Sequence, residues 1–223
     1  ARIETSSTNQ WIICLLHFNE LTLRHLFERK SSGPSSFTGD IGRNLKACEK
    51  LPLVAFNSIE CDLAGIDPTN LSCDQKYLFD ICTTISSGVG SSDLAERQPG
   101  TLNLAHWLKT ANRILRLYIS TSSPLNEWIT LVVFILRVYV PSWFRIKFHH
   151  SIKDSARHFW HFISSSRYLP KEYRDIIEPV ISRNVYFVAP ENMILYMLTD
   201  ERCHIRTPCR SVNYQGKGNF PRW

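Results

Sequence analysis

Cys14 and His17 are the residues near the start of the chain whose types and spacing could bind a metal ion. Three positions apart on a helix, a thiolate and an imidazole share one face, where both could bind zinc. A structural zinc site needs four ligands, and the other close pair, Cys203 and His204, is adjacent in sequence, so its side chains diverge on a helix. We interpret Cys14 and His17 as a structural cysteine and a hydrogen-bonded histidine. We predict no metal ion and no other cofactor.

Histidines form a second group, in which His149 and His150 precede a predicted helix while His158 and His161 share one of its faces. The spacing places no carboxylate or cysteine beside them, and histidines near an aromatic residue such as Trp160 are more often interfacial than metal-binding. The sequence also lacks the phosphate-binding, nucleophile-elbow and metalloprotease motifs of common enzymes. We therefore do not predict an autonomous enzyme.

Positive charge in the second half of the chain indicates a binding function. The net charge is +6, and residues 101–223 hold 17 of the 26 Lys and Arg but only 8 of the 20 Asp and Glu. Cations neutralise phosphates, and exposed rings stack on unpaired bases. The alternative is that the rings belong to the core and the charges only keep the protein soluble. The cations that we expect to contact DNA are Arg113, Arg116, Lys147, Lys153 and Arg157.

Periodic apolar residues predict an all-α fold of seven or eight helices, with little or no strand. Ser72 and Gln75 resemble a capping box at the start of one helix. The helix from 104 to 120 has one apolar face, so we expect its other, basic side to be exposed. After Pro124 the next helix is apolar on nearly all sides, which predicts a core position, and we expect it to end near Tyr139, with Pro141 beginning a new element. The remaining predicted helices are 10–29, 72–86, 154–168, one between Pro170 and Pro179, and one from Pro190 to Leu198.

Composition and the positions of Gly- and Ser-rich segments suggest one large domain. Hydrophobic residues make up 43% of the 223, enough for a packed core. We expect a helical domain over 1–206, a hinge near the Gly- and Ser-rich segment 86–100, and an irregular or disordered tail over 207–223. Because the chain begins with Ala1 rather than methionine, we expect a fragment of a longer protein.

Cysteine usage and hydropathy bear on the compartment. The seven cysteines are irregularly spaced and form no CxxC pair, so we expect free thiols inside the cell, with a nuclear location if the chain binds DNA. The apolar run after Trp128 is interrupted at Arg137, short of the roughly 20 residues that cross a bilayer. We therefore expect no membrane span.

Several phrases of the sequence resemble one known family when they are taken together and in order. They are CLLHFNELTLRHLFE at 14–28, GPSSFTGDIG at 33–42, KACEKLP at 46–52, HWLKTANRILRLY at 106–118, RVYVPSWFRIK at 137–147, RYLPKEYRDIIEPVISRN at 167–184 and PENMILYMLTDER at 190–202. The resemblance covers residues 10–206 and is to a multicopy family of arthropod and other invertebrate genomes. That family is itself similar to hAT-type DDE transposases.

The resemblance implies a fold and a function. In such transposases an RNase H-like sheet carries two catalytic aspartates, and a helical insertion precedes a final catalytic glutamate, for which Glu191 and Glu201 are both candidates here. Both aspartates would lie upstream of Trp11, so the resemblance implies a helical insertion that cannot cut DNA alone. It also implies a DNA-end role for Trp107, although relatives have Arg where this chain has His106.

Two hypotheses for function follow. The first is a transposase-derived helical domain, catalytically incomplete, that binds DNA or associates with itself. The second is a helical protein-interaction module with no nucleic-acid role. Charges gathered on one surface would favour the first, whereas scattered charges among exposed aromatic residues would favour the second.

Overall fold

Eight helices and no strand make up the part of the chain that the computed structural model describes, namely residues 15–30, 40–90, 92–100, 107–148 and 155–185. This confirms the prediction of an all-α fold with seven or eight helices. The helices are α1 (Leu15–Lys30), α2 (Asp40–Leu45), α3 (Cys73–Ser87), α4 (Ser92–Glu96), α5 (Trp107–Tyr118), α6 (Asn126–Phe148), α7 (Ser155–Arg167) and α8 (Lys171–Val185). The predicted last helix after Pro190, the tail 207–223 and both Glu191 and Glu201 lie outside the described residues.

Helix α6 lies in the core, as its apolar sequence predicts. It packs against α1 and α5, while α1 also packs against α8, and α5 against α3. Many of its side chains are completely buried because α6 has neighbours on several sides. These fully buried residues are Leu131, Val132, Phe134, Ile135, Leu136, Val138, Tyr139, Val140 and Phe144.

The continuation of α6 past Pro141 corrects the prediction that the helix ends near Tyr139. Residues Ile135–Tyr139 form a π-helical turn, and the α-helix resumes as Val140–Phe148. A proline inside an α-helix lacks an N–H and its ring clashes with the carbonyl four residues earlier, here that of Arg137. A π-helical turn contains one additional residue and rearranges the local hydrogen bonds. The proline ring is therefore accommodated within one continuous helix.

The full length of α6 also exceeds the apolar run that the sequence analysis compared with a membrane span. With 23 residues and a mean hydropathy of 1.6, α6 is long and apolar enough to cross a bilayer by length and composition. Within the fold, 72% of its most apolar window is buried, and core helices of soluble proteins pass the same test. This is weak evidence for a span, and the absence of a membrane partner stays a prediction.

Helix α3 begins and ends with the expected capping signals. Ser72 and Gln75 form the predicted capping box, in which the Ser72 N–H donates to Gln75 Oε1 at 3.1 Å. At the other end Gly88 has a φ of 72°, and its N–H donates to Thr84 O at 3.1 Å. A left-handed residue in this position satisfies carbonyls of the last turn, and glycine adopts it without a steric cost.

Residues 51–67, called here the extended segment, connect the short Cys48–Lys50 turn to the region before α3 without regular structure. The backbone of the segment is attached to its neighbours by hydrogen bonds. The Val54 N–H donates to Ile119 O at 2.9 Å, and the Tyr118 hydroxyl donates to Asn57 O at 2.8 Å. The extended segment therefore covers the C-terminal end of α5.

The segment near 86–100, predicted to be a hinge, contains α4. The Arg97 guanidinium follows this helix and pairs with Asp80 Oδ2 on α3 at 2.6 Å and with Asp93 Oδ2 at 3.2 Å. It also lies 5.5 Å from the centre of the Tyr77 ring. These contacts attach the segment to α3, and its role as a hinge stays a prediction.

Candidate functional site

Arg113 lies on α5 with its guanidinium directed into the fold. Its Nη1 donates to Leu45 O at 2.7 Å and pairs with Glu49 Oε2 at 3.0 Å, while its Nε donates to Gly100 O at 2.8 Å. Only 8% of the residue is exposed. The side chain therefore connects α5 to residues 45–49 and to Gly100 rather than facing solvent.

The carboxylate that pairs with Arg113 has a shifted pKa. Burial by itself would raise the pKa of Glu49, but its own backbone N–H, the positive charge of Arg113 and the Arg113 hydrogen bond lower the pKa below the usual carboxyl value. The pKa of the neighbouring Cys48 thiol shifts in the opposite direction, because burial raises it to about 11. Cys48 is accordingly a poor nucleophile at neutral pH.

Arg116, one turn further along α5, is completely buried. Its Nη1 donates to Ser120 Oγ at 2.6 Å, and its Nη2 donates to Leu51 O at 2.9 Å and more weakly to Ala95 O at 3.4 Å. Among the described residues it forms no ion pair with a carboxylate. This guanidinium therefore anchors the extended segment and α4 to α5 through neutral acceptors.

Trp107 occupies the first position of α5 and is 3% exposed. Its ring meets Phe27 of α1 edge to face, with 5.7 Å between ring centres. Trp107 is thus part of the contact between α1 and α5. A ring in this position is not available to stack on a base in the described conformation.

The prediction that α5 exposes a basic side is wrong, and the reason lies outside the helix. The end of α2, the extended segment and α4 pack over that side and supply the carbonyl and carboxylate acceptors that Arg113 and Arg116 need. The apolar periodicity of α5 cannot show that other segments cover its basic side, because those segments are distant in sequence. Arginine at these positions stabilises the fold through several donors in a fixed planar arrangement.

Only some of the other predicted site residues lie within the described parts of the chain. Lys147 is exposed on the last turn of α6, and His17 is exposed near the start of α1. Lys153, Cys14 and the side chain of Arg157 lie outside the described residues. Within the described part of the chain, no three His, Cys, Asp or Glu side chains are grouped so that they could hold a metal ion.

The described solvent-exposed charges of the C-terminal half of α6 are all positive. Arg137 is exposed and Arg145 is partly exposed on one side of the helix, Lys147 is exposed in its last turn, and we call these three residues the basic stripe. In the sequence no Asp or Glu occurs between Glu127 and Asp154. None of the three forms an ion pair with a carboxylate in the described ranges. The positive charge of the basic stripe is therefore not neutralised by the neighbouring side chains of the described fold.

Sequence reasoning gave Arg137 no binding role and treated it only as an interruption of an apolar run. The informative signal is its spacing. Arg137, Pro141 and Arg145 recur every four residues and so follow one side of the helix, which is the side that the core leaves uncovered. A single cation in an otherwise apolar helix therefore indicates which side of the helix faces solvent.

Arg145 also lines a small cavity between α1, α6 and α7. The cavity has a volume of about 10 Å³, which is room for about one water molecule. Phe18 and Phe162 form part of its wall, with their rings edge to face and 5.1 Å between centres. The other lining residues are Ser142, Ile146, His158 and His161. Its size excludes a bound organic molecule.

Elsewhere on the described surface, several cations are paired with carboxylates. Arg24 pairs with Glu28 at 2.8 Å, and Lys171 pairs with Asp175 at 2.9 Å. Lys76 lies 3.5 Å from Asp80, and other pairs are Lys30 with Glu172 and Lys109 with Asp74. These pairs neutralise part of the described surface. Arg29, Lys46 and Lys50 are exposed without an ion pair in the described ranges, but they do not lie together on one helix.

The described residues therefore define an all-α domain whose central helix exposes a basic stripe. Comparison with protein-family models, curated proteins and solved structures gives no match.

Proposed function

We propose that this chain is a helical domain derived from the insertion of a hAT-like transposase, and that it binds the phosphate backbone of DNA through the basic stripe. The resemblance described above supports the origin. The observation that supports the binding is the exposure of Arg137, Arg145 and Lys147 on one helix without an acidic partner among the described residues. This proposal replaces Arg113, Arg116 and Trp107 as DNA contacts.

The spacing of the basic stripe suits a polyanion. Arg137 and Arg145 are about 12 Å apart along α6, because an α-helix rises about 1.5 Å per residue. Phosphates follow one another at about 3.4 Å per step along each strand of a duplex, so the two cations can reach different phosphates. The buried remainder of α6 fixes their separation. Phe148, which is 40% exposed, supplies a ring for an unpaired base at the end of the stripe.

The proposed domain does not cut DNA by itself. Phosphodiester cleavage in the resembled family needs carboxylates that hold two metal ions in line with the scissile bond. The resemblance puts the two aspartates in a part of the family that precedes this chain. The proposed activity is therefore binding alone.

The test is DNA binding as a function of salt. The purified chain is titrated against a fluorescent DNA duplex, with anisotropy measured from 50 to 200 mM salt, beside a variant with Arg137→Gln, Arg145→Gln and Lys147→Gln. Each lost phosphate contact reduces the slope of log affinity against log salt by about 0.9, so the slopes differ by about 2.7. Over this range the unmodified chain then loses about 40-fold more affinity than the variant.

A matched control removes the same charge elsewhere. The triple variant Arg24→Gln, Lys76→Gln and Lys171→Gln deletes three cations that are paired with carboxylates in the structure. We expect its salt slope to stay close to that of the unmodified chain. Equal slopes for both triple variants would contradict specific use of the basic stripe.

A protein-interaction module is the second candidate, because several described surface cations are scattered in ion pairs and some large apolar side chains are exposed. Tyr168 is 69% exposed and Leu125 is 56% exposed. This candidate predicts no DNA binding at low salt. Light scattering after size-exclusion chromatography would measure self-association, which both candidates permit, so the anisotropy titration decides between them.

A further inference from the structure

Cys61 and Cys82 lie beside each other although they come from different parts of the chain. Cys61 belongs to the extended segment, and its N–H donates to Ser86 Oγ near the end of α3 at 3.3 Å. Just before it, the Ile59 N–H donates to Ile85 O at 3.4 Å. Cys82 precedes Ser86 by one helical turn, so both side chains project from the same side of α3. That side faces Cys61.

The two thiols differ in their access to solvent. Cys61 is partly exposed, whereas Cys82 is fully buried. Burial raises the pKa of the Cys82 thiol well above its ordinary value, and the contact with the Cys61 thiol raises it further. Because the thiolate is the reactive form and the oxidant must reach the sulfur, Cys61 reacts first.

We propose that Cys61 and Cys82 form an oxidisable pair, in which a peroxide or a small disulfide such as oxidised glutathione converts the two thiols into one disulfide. With hydrogen peroxide, Cys61 Sγ takes one oxygen and becomes a sulfenic acid, and one water leaves. Cys82 Sγ then attacks the Cys61 sulfur, its proton and the hydroxyl leave as a second water, and the S–S bond forms. The two thiols supply the two electrons that reduce the peroxide.

Oxidised glutathione gives the same product by exchange. The Cys61 thiolate attacks one glutathione sulfur, which releases one glutathione and leaves a mixed disulfide on Cys61. Cys82 then displaces the second glutathione. In both routes the new bond ties the extended segment to α3, beside the hydrogen bonds that already join them.

Cys73 is the other described cysteine of α3 and cannot replace Cys61. It is exposed at the N-terminal end of the helix, about 13 Å along the axis from Cys82. A disulfide requires Cα atoms about 4.4 to 6.8 Å apart. Of these two described cysteines, only Cys61 is placed to pair with Cys82, and Cys73 serves as the control.

Peptide mapping of the full chain tests the pairing. Trypsin cleaves after Lys50, Lys76 and Arg97, so Cys61 and Cys73 share one fragment while Cys82 lies alone in the next. In a Cys73→Ser background, treatment of the folded chain with oxidised glutathione should join these two fragments, and a reductant should separate them. The same chain with Cys61→Ser should not give the joined fragment. A mixed disulfide on Cys61 with no joined fragment would overturn the proposal.

Thermal unfolding gives a second, independent measurement. A disulfide that closes a loop of roughly 20 residues constrains the unfolded chain enough to raise the melting temperature of a protein of this size by about 7 to 13 °C. Oxidised Cys73→Ser protein should show this rise over its reduced form. A chain carrying Cys61→Ser should melt at the same temperature before and after oxidation. An unchanged melting temperature in a chain that contains the joined fragment would contradict the proposed attachment of the extended segment.

Discussion

Replacing Arg116 by methionine tests whether this arginine stabilises the fold or contacts DNA. Methionine keeps an unbranched side chain but removes the donors to Ser120 Oγ at 2.6 Å and Leu51 O at 2.9 Å. Hydrogen bonds from a charged donor contribute about 1.5 to 3 kcal/mol each, so the two together contribute about 3 to 6 kcal/mol. Burial of the apolar methionine side chain returns about 1.5 to 3 kcal/mol. We expect a net loss of about 2 kcal/mol.

The assay combines stability with binding. A loss of this size should lower the melting temperature by about 4 to 8 °C, measured by circular dichroism. The DNA affinity of the folded Arg116→Met protein should stay within about twofold of the unmodified chain, because a buried guanidinium makes no phosphate contact. Arg137→Met is the matched control and should change the melting temperature by no more than about 2 °C. An Arg116→Met protein with unchanged stability and weakened DNA binding would refute the structural role.

Two further predictions concern the elements around α3 and α5. Because the folded-state pKa of Glu49 is lowered, its ion pair with Arg113 stabilises the protein above the ordinary carboxyl pKa, and this stability is lost as the pH falls through the folded-state value. In urea titrations, Glu49→Gln should therefore be less stable than the unmodified chain at neutral pH, and the difference should shrink as the pH falls below the ordinary carboxyl pKa. A difference that stays constant with pH would contradict this. Gly88→Ala should lower the free energy of unfolding by about 1 kcal/mol, since Gly88 has a φ of 72°. In Gly90→Ala the new Cβ would lie 3.8 Å from Leu53 Cδ1, and this variant should leave the free energy of unfolding nearly unchanged in the same titration.

The sequence predicted those features of the fold that depend on short-range patterns. The helical class, the capping box at Ser72 and the burial of the helix after Pro124 all follow from neighbouring residues. The continuation of that helix through Pro141 did not, because a proline normally ends a helix and the π-helical turn before it leaves no simple pattern. Element type was therefore easier to predict than element length.

The candidate site was harder to predict than the fold because it depends on which helix faces are covered. Arg113 and Arg116 have the composition and spacing of an exposed basic face, and Lys147 has much the same local signal. Only the packing of distant segments over α5 distinguishes them. Whether a cation is exposed depends on which distant segments pack over it, and a single sequence does not show this directly.

The π-helical turn at Ile135–Tyr139 also sets the rotational phase of α6. Such a turn fits one more residue into about one rotation than an α-helix does, so winding the same five residues as a regular α-helix would turn everything beyond them by about 100°. Trp143 and Phe144, now inside the fold, would then swing away from their neighbours. The wider turn is thus what allows the two halves of one helix to present their apolar sides to the same interior.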